Sequence, residues 1–171
     1  MLRRFVVPAV GVCLMLAATS ARAQFKTGDW TLSLGGFGTN GQDFDSASFS
    51  FNGDLGYFLT DQIEVAFRQS IGFTDFEGDV GDGSAWVGSS AIAGHYHFDM
   101  GQWQPYIGAA IGFAYGDVND TGFGGPEGGI KFFVNETTYI EASVGYQWFF
   151  DSGDDQDDGA FIYGLNIGFR W

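Results

Sequence analysis

The residues with the most chemical potential in this chain are two histidines, His95 and His97, the only ones among 171 residues. A spacing of two places both imidazoles on the same face of an extended strand, where they could bind a metal ion or transfer a proton. The spacing fixes no serine or carboxylate partner, and the motifs GxSxG, HExxH and CxxC do not occur. We therefore expect the histidines to fill an interior, and predict no enzymatic activity, no cofactor and no metal site. An enzyme that acts through either histidine is the less favoured alternative.

A second set of charged residues falls on the small, polar face of the predicted strands. Two short turns set its pairing: one places Asp54 opposite Arg68, and the other places Lys131 opposite Glu141. Eight strands leave little lumen, and buried charges must be paired, so a closed plug of paired charges is favoured over an ion-lined pore. The predicted lumen charge network comprises Asp54, Glu64, Arg68, Glu127, Lys131, Glu141 and Arg170.

The acidic residues are concentrated in the long connections between the predicted strands. Carboxylate oxygens are hard ligands that suit Ca²⁺ or Mg²⁺. Solvated, mutually repelling loops are the favoured interpretation. The alternative is weak divalent-cation binding that bridges the loops to external phosphate groups, and its candidate residues are Asp75, Glu77, Asp79, Asp82, Asp154, Asp155, Asp157 and Asp158.

The elements that must position these residues are strands, because apolar and small residues alternate along the chain. In the last twelve residues one face carries Phe161, Tyr163, Leu165, Ile167, Phe169 and Trp171, and the residues between them are mostly small or polar. The alternation recurs in seven upstream segments and is weakest near 84–98. Short connections near 60–62, 99–102 and 135–137 alternate with long ones near 39–46, 74–83, 116–122 and 151–159. This pattern predicts an all-β fold, an eight-stranded antiparallel up-and-down transmembrane β-barrel.

The aromatic content decides which face of the barrel points outward. A soluble, lipocalin-like barrel would bury the apolar face. The chain contains 19 Phe, 7 Tyr and 5 Trp, and the interior of an eight-stranded barrel is only wide enough for modest side chains. The apolar face should therefore contact lipid, with aromatic residues forming a band at each membrane interface. A net charge of −14 also argues against nucleic acid as a partner.

The first 23 residues have the pattern of a secretory signal peptide. Arg3 and Arg4 precede an apolar run, and the sequence Ala-Arg-Ala ends at residue 23. The predicted domains are a cleaved signal peptide, residues 1–23, and an outer-membrane β-barrel domain, residues 24–171. Cleavage would remove Cys13, the only cysteine, and leave a net charge of −17. A disulfide-stapled secreted scaffold is thereby excluded.

The chain resembles the small bacterial outer-membrane β-barrel family, of the OmpA transmembrane-domain kind. The resemblance rests on the signal-like start, the eight alternating strands, the segment QPYIGAAIG at 104–112 and the final residues Phe-Arg-Trp. It implies residence in the outer membrane of a Gram-negative-type bacterium, in contact with lipid and lipopolysaccharide. It also implies that the barrel-assembly machinery reads Phe169 and Trp171, although family members more often end in Phe.

The function favoured by these observations is a structural or surface-exposed, non-enzymatic role in the outer membrane. Two alternatives remain open. One is a narrow porin-like channel for small solutes, and the other is an adhesin or a cation- or lipopolysaccharide-binding protein that acts through its acidic loops.

Overall fold

The chain folds into a closed barrel of eight antiparallel strands, as the alternation predicts. The computed structural model describes residues 24–40, 46–76, 83–117, 120–150 and 159–171. The strands are β1 (Trp30–Asn40), β2 (Ser46–Phe58), β3 (Ile63–Phe76), β4 (Gly83–His97), β5 (Trp103–Gly116), β6 (Thr121–Phe133), β7 (Thr138–Phe149) and β8 (Gly159–Arg170). Each strand pairs with the next, and β1 pairs with β8 to close the sheet. The predicted signal peptide, residues 1–23, lies outside the described residues.

None of the described residues forms a helix long and apolar enough to span a membrane.

The outer face of the barrel is apolar and exposed, because every second residue of each strand points away from the lumen. Ile111 and Leu165, for example, are 63% and 68% exposed. Aromatic residues mark both ends of this surface. The exposed members are Trp30, Tyr96, Trp103 and Trp171 at the short-turn end, and Phe49, Phe73, Trp86 and Trp148 at the long-loop end. An apolar belt between two aromatic bands is the surface that a membrane-spanning barrel presents to lipid.

The strand register determines which inward-facing residues of neighbouring strands lie opposite one another. Asp54 of β2 lies opposite Arg68 of β3, and Lys131 of β6 lies opposite Glu141 of β7, so both predicted registers are confirmed. A short turn fixes the register of the strands it joins.

Glycines on the inward face provide the room for larger lumen side chains. A Cβ atom added at Gly56 would overlap the Glu64 carboxylate, and one added at Gly168 would overlap the Tyr139 ring. These close approaches explain why part of the glycine excess lies on the narrow lumen side of the strands.

Candidate functional site

The candidate site is built around the Glu64 carboxylate, in the half of the lumen nearest the short turns. Glu64 lies directly opposite His95 in the β3–β4 pair, and His97 is the next inward residue of β4. Oε2 of Glu64 is 3.2 Å from Nδ1 of His95 and 2.9 Å from Nε2 of His97. Both histidines therefore have the carboxylate partner that sequence spacing does not provide.

Two further donors complete the environment of Glu64. Nζ of Lys131 donates to Oε2 at 2.9 Å and to Oε1 at 3.2 Å. The Thr31 hydroxyl donates to Oε1 at 2.6 Å. Glu64 is 1% exposed and Lys131 3%, so the ion pair is removed from solvent and its stability depends on this full set of hydrogen bonds.

Arg68 forms a second ion cluster nearer the middle of the barrel. Its Nε and Nη2 donate to Asp54 at 2.9–3.0 Å, and its Nη1 and Nη2 donate to Glu127 at 2.8 and 3.1 Å. Nε2 of His95 lies 2.6 Å from Oε1 of Glu127. Because His95 contacts both carboxylates, Glu64 and Glu127, it joins the two clusters into one network across the lumen.

The position of Glu141 corrects one predicted contact. Lys131 and Glu141 are opposite in register, as predicted, but the Lys131 ammonium bonds Glu64 on the far side of the lumen. Glu141 instead accepts hydrogen bonds from the Tyr106 hydroxyl at 2.6 Å and the Ser33 hydroxyl at 2.8 Å. The long lysine side chain can cross a narrow lumen, so neighbours in register need not be ion-pair partners.

Arg170 is also placed differently from the prediction. Its side chain lies at the short-turn rim, where Nη1 is 3.6 Å from the Asp29 carboxylate and donates to the backbone oxygen of Gln24. The guanidinium stacks over the Phe133 ring, with 5.5 Å between Cζ and the ring centroid. Arg170 therefore holds the segment before β1 against the rim of the barrel and does not join the central network.

The segment before β1, residues 24–29, closes the short-turn end of the lumen. The sequence pattern does not predict this role. Phe25 is fully buried there and stacks on Phe58, with ring centroids 4.1 Å apart. It also meets the rings of Phe133 and Tyr139, and Nζ of Lys131 lies 5.5 Å from its centroid. An isolated aromatic outside any alternating pattern gives no sequence signal for this role.

Asp61 holds this segment to the first short turn. The Thr27 backbone N–H and hydroxyl donate to its Oδ1 at 2.8 and 2.9 Å. These bonds, the backbone one first, hold the pKa of the exposed Asp61 carboxyl below its usual range, because they favour the charged form.

The lumen is more open on the long-loop side of Arg68. The Arg68 side chain is 22% exposed, against 1% for Glu64. A cavity of about 30 Å³ lies beside it, lined in part by Glu127, Gln147 and Ile162. The lumen is therefore more open on the long-loop side, and the ion network and the segment before β1 close it on the short-turn side.

One part of the network has the chemistry of a metal-binding site. Glu64, His95 and His97 each offer a donor atom, and the three atoms lie within 4.8 Å of one another. The described hydrogen bonds of the two imidazoles go to carboxylates and not to a serine or threonine hydroxyl. The arrangement is suited to balancing charge or binding a cation rather than to activating a nucleophile.

The remaining predicted residues lie away from this network. The side chain of Asp75, at the end of β3, is not described, and the other acidic loop candidates, Glu77, Asp79, Asp82, Asp154, Asp155, Asp157 and Asp158, lie outside the described residues. Phe169 and Trp171 are exposed on the outer face near the closing strand pair. That the barrel-assembly machinery recognises these two residues stays a prediction.

Comparison with known proteins identifies the family. A family model described as outer membrane protein beta-barrel domain matches residues 6–170. The chain belongs to this family. As a member of the outer-membrane β-barrel family, it is an outer-membrane protein, in agreement with its apolar belt and aromatic bands.

Individual relatives agree with this family assignment. The chain is 25% identical to outer membrane porin F of Pseudomonas aeruginosa, over 91% of this chain and 49% of that protein, so it spans about half the length of this curated relative. OprG of Pseudomonas aeruginosa has a TM-score of 0.57 at 14% identity, covering 87% of this chain and 98% of that one. Ail of Yersinia pestis has a TM-score of 0.55 at 16% identity, covering 84% and 99%. The two structural likenesses show the fold alone.

Proposed function

We propose that this protein is a structural, surface-exposed outer-membrane barrel with a closed lumen and no enzymatic activity. The observation that carries the proposal is the fully buried ion network around Glu64, sealed from the short-turn end by Phe25. A barrel of this kind supports the outer membrane and displays its long loops outside the cell.

Two successive layers support the closed lumen. The outer layer is aromatic, with Phe25, Phe58, Phe133 and Tyr139 each at most 1% exposed. The inner layer is the ion network, in which buried charges meet oppositely charged groups at hydrogen-bond distance. A hydrated pore would leave such groups in contact with water, whereas a plug removes them from it.

The chemistry of the histidines supports a non-enzymatic role. His95 is held between the carboxylates of Glu64 and Glu127, and His97 contacts Glu64 and packs against Phe25. Neither imidazole is directed towards a hydroxyl nucleophile in the part of the chain that the structure describes. Both ring systems are buried, which keeps a lipid or solute substrate away from them.

Conductance across a planar lipid bilayer tests this proposal. The native barrel should give no steady current above the bare-bilayer baseline. Phe25→Ala, combined with Lys131→Ala, removes one member of each layer and should produce a measurable leak. Phe67→Ala is the matched control, because Phe67 is a phenylalanine of the outer face that is 50% exposed. A steady native current equal to that of the double variant would contradict the closed lumen.

A narrow channel is the second candidate, and the cavity beside Arg68 favours it. The cavity of about 30 Å³ leaves room for one or two water molecules beside Arg68, and one relative is named a porin. Displacement of the segment 24–29 would then open a path from the long-loop half of the lumen to the short-turn end. Solute-dependent swelling of vesicles that contain the native protein would support this candidate over the closed barrel.

The partners of the barrel are also proposals. We propose that its belt contacts outer-membrane lipid and lipopolysaccharide, that assembly machinery reads Phe169 and Trp171, and that the acidic loops attract Ca²⁺ or Mg²⁺. One structural neighbour is named the attachment invasion locus protein, which favours a surface-binding role for exposed loops as an alternative. Shortening the loops at 77–82 and 151–158 should abolish cell or lipopolysaccharide binding if the loops carry it.

A further inference from the structure

We propose that Glu64, His95 and His97 bind one divalent first-row transition-metal ion, for which Zn²⁺ is the best match. Their three donor atoms lie within 4.8 Å of one another. Two imidazole nitrogens and one carboxylate oxygen form a donor set that proteins use for Zn²⁺. The donors stand on paired strands, since Glu64 and His95 are opposite in β3 and β4, so the sheet fixes their spacing.

Two of the three donor separations, those from Glu64 to each histidine, are close to the separations around a tetrahedral ion. Oε2 of Glu64 lies 3.2 Å from Nδ1 of His95 and 2.9 Å from Nε2 of His97. Ligands bound about 2.0–2.1 Å from a tetrahedral Zn²⁺ are separated from each other by about 3.3 Å. The carboxylate–imidazole separations therefore need to change by only a few tenths of an ångström when the ion replaces the hydrogen bonds.

The groups behind the donors have the arrangement that orients metal ligands. Nε2 of His95 contacts the Glu127 carboxylate at 2.6 Å, and Arg68 holds that carboxylate with two hydrogen bonds. The Thr31 hydroxyl donates to Oε1 of Glu64 at 2.6 Å. A carboxylate behind a metal-binding histidine fixes the ring orientation and raises its basicity. His95 and Glu64 are thus positioned from both sides.

Lys131 is the competitor for this site. Its Nζ lies 2.9 Å from Oε2 of Glu64, where it repels a metal ion. Its strand neighbour Glu141 offers the ammonium another carboxylate. In the metal-bound barrel Lys131 is turned from Glu64 towards Glu141, and the metal takes the place of the ammonium on Glu64.

The charge balance of the network favours a dication. The described lumen network contains four carboxylates, Asp54, Glu64, Glu127 and Glu141, and two permanent cations, Arg68 and Lys131. A histidine that binds a metal ion does so in its neutral form, so two negative charges remain for the ion to balance when the site is filled. One divalent ion neutralises them, and it does so in a region where unbalanced charge is costly.

Burial determines how the ion must be taken up. Glu64 and His97 are each 1% exposed and His95 is 4% exposed. The site therefore loads while the barrel folds, and the closed barrel releases the ion slowly. The experiment must supply the metal during folding and challenge it afterwards.

The test uses the barrel purified from outer membranes, unfolded, and refolded into detergent with Zn²⁺ or with Co²⁺. Excess metal is removed with EDTA. Zinc is then measured by elemental analysis, and tetrahedral cobalt by its visible absorption. Metal is expressed per folded barrel, judged by gel mobility without boiling, so poor folding of a variant is not counted as lost binding.

The expected result is one EDTA-resistant ion per native barrel. After the EDTA challenge, His95→Gln and His97→Gln should each retain no more than about a tenth of the native metal. Glu127→Gln should also retain less than the native barrel, because a group behind a metal ligand contributes about 10–100-fold to affinity. Lys131→Met should tighten binding, and Asn166→Ser, a change to another buried inward residue, should leave it unchanged.

Three results would overturn the proposal. The first is retention by either histidine variant equal to that of the native barrel. The second is weaker metal binding in Lys131→Met, and the third is loss of the ion in Asn166→Ser.

Discussion

Replacement of Lys131 by methionine should destabilise the folded barrel by about 3–5 kcal/mol. Methionine is one heavy atom shorter than lysine but keeps much of the volume of its side chain, and it removes the charge. The Glu64 carboxylate then remains buried at 1% exposure without its ammonium partner. The change therefore measures the contribution of the ion pair rather than the cost of a cavity.

The magnitude follows from the geometry of the pair. Unit charges 2.9 Å apart attract by about 6 kcal/mol at the effective dielectric constant of about 20 that suits protein sites. The donors that remain, Thr31, His95 and His97, stabilise the carboxylate in part. The balance agrees with the 3–5 kcal/mol found typically when one partner of a buried pair is removed.

The assay is urea unfolding of the barrel in lipid vesicles, followed by tryptophan fluorescence and by gel mobility. Lys26→Met is the matched control, because Lys26 is an exposed lysine before β1, and its replacement should change stability by no more than about 0.5 kcal/mol. Adding Glu64→Gln to Lys131→Met should recover much of the loss, since the unpaired charge is removed. A loss for Lys131→Met no larger than that of the control would refute the buried ion pair.

Three further outcomes follow from the same contacts. Phe25→Ala should lower the free energy of unfolding, measured with urea, by about 3 kcal/mol. This is near the lower end of the range for replacing a buried phenylalanine by alanine, because water can enter the space left at the rim. The bonds from Thr27 to Asp61 should be lost as the pH falls through the lowered pKa of Asp61, which lies below the ordinary aspartate value of 3.8, because they stabilise the charged carboxylate. The amide signal of Thr27 in NMR spectra should report this loss, and Asp61→Asn should remove the pH dependence. Gly168→Val should prevent formation of the heat-sensitive fast-migrating band on gels, because its Cβ would overlap the Tyr139 ring.

The strands and the registers across short turns could be predicted because they depend on local information. Alternation reveals the face of each residue, and a short turn leaves few possible registers. The Asp54–Arg68 pair shows this, since both the register and the ion pair agree with the prediction. The short turn between β6 and β7 likewise places Lys131 opposite Glu141, as predicted.

Contacts across the lumen could not be predicted in the same way. Lys131 bonds Glu64 because closure of the barrel brings β6 opposite β3, and no local spacing connects those strands. The partner of His95 was missed because the long connection between β3 and β4 leaves their register undetermined by counting. Phe25 was missed because its burial depends on a segment without alternation. Long-range closure thus determines which inward residues meet.

Cysteine accessibility tests the closed lumen most directly. Ser33 is a lumen residue that is 2% exposed, whereas Ile162 lines the cavity on the long-loop side and is 45% exposed. Each is replaced by cysteine in a Cys13→Ser background and treated, as folded barrel in detergent, with a charged maleimide. The closed lumen predicts that Ser33→Cys reacts only after unfolding, while Ile162→Cys reacts in the folded barrel. Equal reaction of the two cysteines in the folded barrel would contradict the plug.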